Sequence, residues 1–415
     1  MFQALYKSDN NFLSFTNPLY VFKYENNKFY FTDLKNKNNS YIKEITQKQA
    51  WKQLKDFHKK EKIIFFGYIS YDFSLYFDEA YTFNHITQEK LLNFPDLFFV
   101  AYSSINKFFL PSPPTPLLKE RGVITNLIQD HEYKKIVLKA IEEIKNGNVY
   151  EINLSRAFLF SLTPNPSPKR EGSLLNLFNY LYSKNQAPYS SFFQISKNQS
   201  ILSFSPECFL KKIGQRIATF PIKGTRKRLK ERKQNEEIKK ELLKSEKELA
   251  EHLMVVDLER NDMSKICIPK SVKVKDFSKL HSFDYVHHLI SEINGILKEK
   301  IDIFDTLEAL LPGGSISGAP KIKVLELINK FEKYKRGVYT GCLGYIDSEA
   351  NAEFSIIIRT LFQENNQFLL NVGGGIVFDS DPDFENQETY IKANSFIKAF
   401  KGVAPKDISF ILNKV

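Results

Sequence analysis

Aromatic and polar residues alternate through the first part of the chain, as in VFKYENNKFYFTDL at residues 21–34. A period of two is typical of a strand with one buried face, and ENN at 25–27 is typical of a hairpin turn. Two further aromatic stretches, 63–73 and 94–109, predict buried strands. The N-terminal part of the chain therefore predicts antiparallel β-sheet.

From residue 130 the pattern changes to the 3.6-residue period of an amphipathic helix, which ends at Gly147. A long charged helix is predicted over 231–259, and a glycine-rich turn at 310–323 opens another helix. Three predicted strands, RGVYTGCLGYID, AEFSIIIRTLFQ and QFLLNVGGGIVF, follow. Strands in consecutive hairpins with helices grouped between them predict an α+β fold, not a doubly wound parallel sheet.

Two proline-rich, basic segments interrupt these patterns, at 110–123 and 162–173. Proline removes a hydrogen-bond donor and fixes φ, so neither segment fits a helix or a strand. We expect both to be exposed insertions with no part in the chemistry.

Composition narrows the class of protein. The 415 residues, 42% of them hydrophobic, suffice for one large domain or two ordinary ones. The net charge of +11 is spread along the chain, without a zinc finger, RNA-binding signature or basic arm, so it does not predict nucleic acid as a partner. No apolar run reaches membrane-spanning length, and the three cysteines show no CxxC spacing, which favours a cytoplasmic protein.

Two pairs of glutamates suggest a metal site. Glu385 and Glu388 lie three apart on a predicted helix, as do Glu248 and Glu251 on another. Four carboxylates without a histidine or cysteine suit Mg²⁺ and argue against zinc. The alternative is two solvated helix faces. Three consecutive glycines at 373–375 precede the first pair and would expose N–H groups to an anion.

Lys223, in PIKGTR, is a candidate nucleophile. To attack, it must lose its proton, and lowering its pKa from about 10.4 toward 7 takes roughly 4 kcal/mol. We expect burial and the neighbouring Arg226, Lys227 and Arg228 to push in that direction. The alternative is a structural lysine that binds a carboxylate.

Three other residues stand out in apolar surroundings. Glu207 could donate a proton if burial raises its pKa. His288 and Arg359 are single polar residues inside apolar segments. An arginine in a buried strand needs an anion, and the carboxylate of a substrate would serve.

The motifs PIKGTR, AEHLMVVDLERND, PGGSISGAPK, GVYTGCLGY, IIIRT and GGGIVFDSDPDFENQET follow one another in this order. Together they resemble the chorismate-utilising enzymes, which include the synthase subunits for anthranilate and aminodeoxychorismate and the isochorismate and salicylate synthases. The resemblance implies two large, mainly antiparallel sheets packed together with helices outside. It also implies an N-terminal half at 1–125 and a chorismate-binding catalytic region at 126–405.

The resemblance implies that chorismate and Mg²⁺ bind to this chain. Glu251 and Glu388 match direct metal ligands, and Glu248 and Glu385 match carboxylates that often reach the ion through water. Glu207 matches the acid at C4 and His288 the histidine near the C4 hydroxyl. The positions that match substrate-binding ones are Gly224, Thr225, Tyr339, Arg359, Gly373, Gly374, Gly375 and Lys392.

Lys223 selects a branch of the family. PIKGT is the form of the aminodeoxychorismate synthases, whereas the anthranilate and isochorismate branches have Ala at this place. The resemblance implies that Lys223 attacks C2 while the C4 hydroxyl leaves, protonated by Glu207, and that ammonia then attacks C4 and expels the lysine. The nearest alternative is the anthranilate branch, in which ammonia enters at C2 and pyruvate is eliminated. A catalytically silent anion-binding protein on the same fold is a further alternative.

Glu151, in YEINL, departs from the family pattern, which has Gln or Lys there. A lysine at this place activates water in the isochorismate formers, so its absence argues against that reaction, but the sequence assigns Glu151 no role. None of the three cysteines lies in a nucleophile-elbow context. The resemblance therefore implies a separate glutamine amidotransferase subunit that supplies ammonia.

Overall fold

The computed structural model describes residues 2–9, 11–81, 88–108, 110, 123–161, 174–283 and 286–400. Its strands are β1 Gln3–Ser8, β2 Asn11–Glu25, β3 Lys28–Asp33, β4 Tyr41–Glu44, β5 Ile64–Ile69, β6 Leu97–Phe108, β7 Val123–Asn126, β8 Glu151–Ser161, β9 Tyr189–Gln194, β10 Gln199–Ser205, β11 Cys208–Ile213, β12 Arg216–Thr219, β13 Ile222–Lys227, β14 Lys273–Ser282, β15 Val286–Ile296, β16 Gly318–Ala319, β17 Cys342–Ile346, β18 Ala352–Ile356, β19 Thr360–Glu364 and β20 Gln367–Ile376. Its α-helices are α1 Gln47–Glu61, α2 Tyr71–Ser74, α3 Asp130–Lys145, α4 Leu174–Asn185, α5 Arg232–Lys244, α6 Glu246–Ile266, α7 Ile303–Leu310, α8 Lys321–Phe331 and α9 Pro382–Ala399.

The named strands pair antiparallel throughout and form one hydrogen-bonded network. Its order is β7, β8, β20, β19, β10, β9, β1, β2, β6, β5, β17, β18, β11, β12, β15 and β14. β3 and β4 extend from β2, β13 pairs with β15, and β16 pairs with β8. The predicted α+β fold on large antiparallel sheets is confirmed.

The network folds back on itself into two layers. Phe66 on β5 and Phe193 on β9 are four strands apart along the network, which is about 19 Å in a flat sheet. Their ring centroids nevertheless lie 4.9 Å apart in an edge-to-face contact. The half that contains β9, β10, β19, β20 and β8, here the β20 layer, therefore packs against the half that runs from β6 to β15, here the β15 layer.

A fully buried arginine fixes two helices over the β20 layer. Arg156 on β8, 1% exposed, donates hydrogen bonds to the Asp130 carboxylate of α3 (2.9 Å) and to the side-chain amide oxygen of Asn386 on α9 (2.6 Å). Its guanidinium also lies over the rings of Tyr133 and Tyr390. Because one acceptor and one ring come from α3 and the other two from α9, Arg156 ties both helices to β8.

Two elements differ from the sequence-based prediction at internal breaks. The helix predicted over 231–259 is two helices, because Ser245 adopts an extended conformation and its hydroxyl caps α6 by accepting from the Glu248 N–H (3.4 Å). The predicted strand AEFSIIIRTLFQ is also two strands, β18 in the β15 layer and β19 in the β20 layer. Arg359, at φ +53°, turns the chain from one layer to the other, so it does not lie in a buried strand as predicted.

Two further predicted strands contain glycines, and one of the two is shorter than predicted. The strand predicted from residue 336 begins at Cys342, because residues 337–341 form turns in which Gly337 and Thr340 have positive φ. Gly373, Gly374 and Gly375 lie inside the predicted strand QFLLNVGGGIVF, and they continue β20 opposite β8.

The predicted division at residue 125 separates strands that pair with each other. β1 pairs with β9 and β5 pairs with β17, so residues on both sides share one network. The insertions predicted at 110–123 and 162–173 lie outside the described residues, except for Leu110 and Val123. Cys208, Cys267 and Cys342 are free and buried. None of the described helices is long and apolar enough to cross a membrane.

Candidate active site

A cavity of about 440 Å³ lies where β8 and β20 face β13 and β15, beneath α6 and α9. All fifteen residues singled out in the sequence line it: Glu207, Lys223, Gly224, Thr225, Glu248, Glu251, His288, Tyr339, Arg359, Gly373, Gly374, Gly375, Glu385, Glu388 and Lys392. They come from β13, β15, β20, α6, α9 and three connections. The structure thus brings together residues that are up to 185 positions apart, between Glu207 and Lys392.

The ε-amino group of Lys223 lies in this cavity against a carboxylate. A β-bulge at Gly224, which has φ +79°, shifts the register of β13 next to Lys223. Lys223 donates a hydrogen bond to Glu151, whose side chain is 1% exposed while that of Lys223 is 12% exposed. Glu151 is the residue to which the sequence assigned no role.

The pKa of Lys223 moves opposite to the prediction. Burial lowers it, but the carboxylates of Glu151, Glu251 and Glu207 together outweigh burial, so that the pKa is raised. Arg226 was expected to lower the pKa of Lys223, but its guanidinium forms ion pairs with Glu248 (2.9 Å) and Glu241 instead. Proximity in sequence was a poor guide to the charges around the amine.

Glu207 has the environment predicted for a proton donor. Its side chain is buried, and its Oε1 accepts a hydrogen bond from the Ser315 hydroxyl (2.5 Å). Burial raises the pKa of Glu207 to about 7. The carboxyl group is therefore about half protonated at neutral pH.

His288 is neutral in this site. Its Nδ1 lies 2.9 Å from the hydroxyl oxygen of Thr225, and burial lowers its pKa to about 4. At physiological pH it therefore offers one ring nitrogen as donor and the other as acceptor, without a charge.

Arg359 adds a positive charge to the lining of the cavity. Burial lowers the pKa of its guanidinium, which makes no hydrogen bond or ion pair with any residue that the structure describes. Tyr339 also lines the cavity, and Lys392 donates a hydrogen bond to the carbonyl oxygen of Gly373 (2.6 Å). A half-buried arginine without a partner among the described residues suits an anionic ligand.

The four predicted metal ligands face the cavity in two pairs. Glu388 contacts Lys392, which lowers the pKa of Glu388, whereas burial raises the pKa of Glu385. Burial also raises the pKa of Glu251 to about 7. Glu248 accepts a hydrogen bond from Arg226.

These carboxylates do not form a closed shell. Within the described ranges, no three acidic, histidine or cysteine side chains lie close enough together to hold a metal as they stand. The donor set nevertheless fits a hard cation, since all four groups offer carboxylate oxygens and burial raises the pKa of two of them, Glu251 and Glu385. A Cβ on Gly374 would lie 3.3 Å from Glu385 Oε2 and 3.4 Å from Glu388 Oε1, so the missing side chain lets both carboxylates approach this strand.

The glycines of β20 make room for these side chains. A Cβ on Gly375 would lie 2.3 Å from Glu151 Oε1 and 3.0 Å from Lys223 Nζ. Because this space is taken, we expect Gly375→Ala to displace the pair and to lower turnover about 10²-fold. Gly374→Ala is the matched control, and its looser contacts predict a smaller loss. Steady-state turnover of both variants tests this prediction, provided that thermal unfolding shows them to be equally stable. Equal losses of turnover in the two variants would contradict it.

Sequence comparison identifies the family of the chain. Residues 2–398 match the family model described as chorismate binding enzyme. The chain belongs to this family.

Relatives of this chorismate binding enzyme include two kinds of synthase. It is 36% identical over 274 residues to anthranilate synthase component 1 of Saccharolobus solfataricus, which covers 66% of this chain and 62% of that protein. It is 32% identical over 307 residues to aminodeoxychorismate synthase component 1 of Bacillus subtilis, which covers 73% of this chain and 63% of that protein. The chain therefore spans just over three fifths of the length of these two relatives.

A solved structure supports the fold. The crystal structure of anthranilate synthase component I from Streptococcus pneumoniae TIGR4 superposes with a TM-score of 0.76 at 26% identity, covering 95% of this chain and 91% of that one. Sequence reasoning found the family and the fifteen residues, but missed the contacts of Glu151 and Ser315 with Lys223 and Glu207. Nothing in the sequence pairs a residue of β8 with one of β13, because the two are 72 positions apart.

Proposed function

We propose that this chorismate binding enzyme converts chorismate and ammonia to 4-amino-4-deoxychorismate, a precursor of 4-aminobenzoate and folate. The observation that carries the proposal is a primary amine, that of Lys223, in the same cavity as a carboxyl group with a pKa of about 7, that of Glu207. A nucleophile and an acid facing one substrate suit a substitution in which a hydroxyl must leave.

In the proposed reaction, neutral Lys223 forms a bond to C2, the two ring double bonds shift, and the C4–O bond breaks. Glu207 gives its proton to the departing hydroxyl, which leaves as water. Ammonia then attacks C4, the double bonds shift back, and the C2–N bond to Lys223 breaks. The proton that the attacking ammonia loses returns to Glu207, so the enzyme ends as it began.

The other residues would bind and orient the substrate. Arg359 and Tyr339 would hold one of its two carboxylates, and His288 with Thr225 would contact the C4 hydroxyl through neutral hydrogen bonds. Glu251 and Glu388, with Glu248 and Glu385 around them, would hold Mg²⁺. When bound, this ion would neutralise a substrate carboxylate that otherwise faces four glutamates.

A partner is part of the proposal. Both curated relatives are named component 1, and no cysteine of this chain suits a glutaminase nucleophile, since Cys208, Cys267 and Cys342 are all buried. We therefore propose that a separate glutamine amidotransferase supplies the ammonia.

The second candidate is anthranilate synthesis, which the similarity to the Saccharolobus enzyme favours. Identification of the product distinguishes the two. The purified chain with chorismate, Mg²⁺ and ammonium should yield aminodeoxychorismate, which an added lyase converts to 4-aminobenzoate. Formation of anthranilate would overturn the assignment to C4 while leaving chorismate as the substrate.

The pKa of Glu207 predicts the pH dependence. Because the acid must carry its proton, and its pKa is about 7, kcat/KM for chorismate at fixed free ammonia should fall about tenfold per pH unit above pH 7. Glu207→Gln should lower turnover and remove this dependence. A profile of the parent enzyme that stays flat from pH 7 to 9 would exclude Glu207 as the acid.

A further inference from the structure

Glu151 is the closest partner of the Lys223 amine. It lies on β8, in the other layer from β13, and its carboxylate is almost completely buried. Among the described residues, the carboxylate of Glu151 accepts a side-chain hydrogen bond from Lys223. Gly375 leaves the space that the two groups occupy.

A charged amine cannot attack carbon, so the proton of Lys223 must leave before the first bond forms. The carboxylates of Glu151, Glu251 and Glu207 stabilise the protonated form of Lys223. Lys223 also interacts electrostatically with Glu388 and His252. Of these, Glu151 alone contacts the amine directly within the described part of the chain. Transfer along this existing hydrogen bond needs no movement of either side chain.

We propose that Glu151 is the general base that takes the proton from Lys223. This inference rests on the proposed function. In the first step the N–H proton passes to the Glu151 carboxylate, and the freed electron pair forms the bond to C2. When ammonia later expels the lysine as a neutral amine, the Glu151 carboxyl returns the same proton. The pair thus holds one exchangeable proton throughout the cycle, and no other acceptor is required.

The first step can be measured by itself if ammonia is left out. Chorismate should then convert Lys223 to an adduct whose mass exceeds that of the protein by chorismate minus water. The experiment follows the rate of this mass change from pH 6 to 10 for the parent, Glu151→Gln, Lys223→Ala and Glu353→Gln. Glu353 is the matched control, because its carboxylate is also buried and accepts a hydrogen bond from a distant residue in the sequence, Ser8. Glu353 does not line the cavity.

We expect Glu151→Gln to form the adduct about 10²-fold more slowly than the parent at pH 7. The ratio of its rate to the parental rate should rise toward one as the pH increases, because solvent then removes the proton of Lys223, whereas ionisation of Glu207 slows the variant and the parent equally. Glu353→Gln should match the parent. An undiminished or faster rate in Glu151→Gln at pH 7 would overturn the proposal, since a carboxylate that only holds the charge of Lys223 would restrain its reactivity.

The same series separates this inference from the proposed function. If the parent forms no adduct but still aminates C4, covalent attack by Lys223 is wrong and the role of Glu151 falls with it. If the parent forms an adduct that Lys223→Ala does not, the attachment site is established. The Glu151→Gln rate then decides the base alone. Thermal unfolding of each variant shows that the comparison is between folded proteins.

Discussion

Removal of the Lys223 amine should abolish amination at C4, with turnover falling about 10⁴-fold or more, the scale on which loss of a covalent nucleophile is felt. The amine forms and breaks the bond to C2 in the proposed reaction, and no other lysine among the described residues contacts Glu151. Product analysis by mass at saturating ammonium measures the effect. Undiminished formation of aminodeoxychorismate would show that ammonia attacks chorismate directly.

Lys223→Ala should also lower the stability of the protein. Lys223→Ala leaves the buried carboxylate of Glu151 without its partner, and breaking such a pair costs about 3–5 kcal/mol of unfolding free energy. We therefore expect Lys223→Ala to have a lower melting temperature than Lys223→Ala/Glu151→Gln. Both should be inactive. A loss of activity in the stable double variant that far exceeds the loss in Glu151→Gln alone would show that the amine, and not a collapsed cavity, accounts for the result.

Glu388→Gln should lower turnover and Mg²⁺ affinity by at least about 100-fold each. Glu388 meets Glu385 over Gly374, so its charge is part of what would attract the ion to this point. The free energy of unfolding without metal should decrease slightly, because Lys392 lowers the pKa of Glu388 and the variant loses this ion pair. Isothermal titration with Mg²⁺ gives the affinity independently of catalysis.

Glu326→Gln is a suitable control for this variant. Glu326 lies on α8 and pairs with Lys323 at the surface, away from the cavity lining. It should bind Mg²⁺ and turn over like the parent. If Glu388→Gln bound Mg²⁺ as tightly as this control, the metal assignment would be wrong for Glu388.

The parts of the fold that the sequence predicts well are those set by local chemistry. The predicted helix that carries Glu385 and Glu388 is α9, which begins with Asp381 as cap and Pro382 in the first turn, and the predicted hairpin turn falls at Asn26 and Asn27. Side-chain periodicity and capping act within a few residues, so they can be seen in one segment. Most residues of the cavity were candidates on local chemistry, and the family motifs added Gly224, Thr225, Tyr339 and Lys392.

What the sequence could not show depends on contacts across the layers. AEFSIIIRTLFQ has the composition of one strand, but its two halves pair with different partners, so the break at Arg359 is decided by the fold. The pKa of Lys223 was predicted in the wrong direction for a related reason. Arg226 is near Lys223 in sequence and bonded elsewhere, whereas Glu151 is remote in sequence and bonded to it.

The place of β1 in the network has a consequence for the growing chain. β1 is the link between the layers, since it pairs with β2 on one side and with β9 on the other. The ribosome makes β1 some 186 residues before β9, which at 5–20 residues per second is about 10–40 s. During this time one edge of a finished hairpin has no partner strand and can pair with another nascent chain. Factors that shield nascent chains should therefore affect the yield of this protein more than its stability once folded.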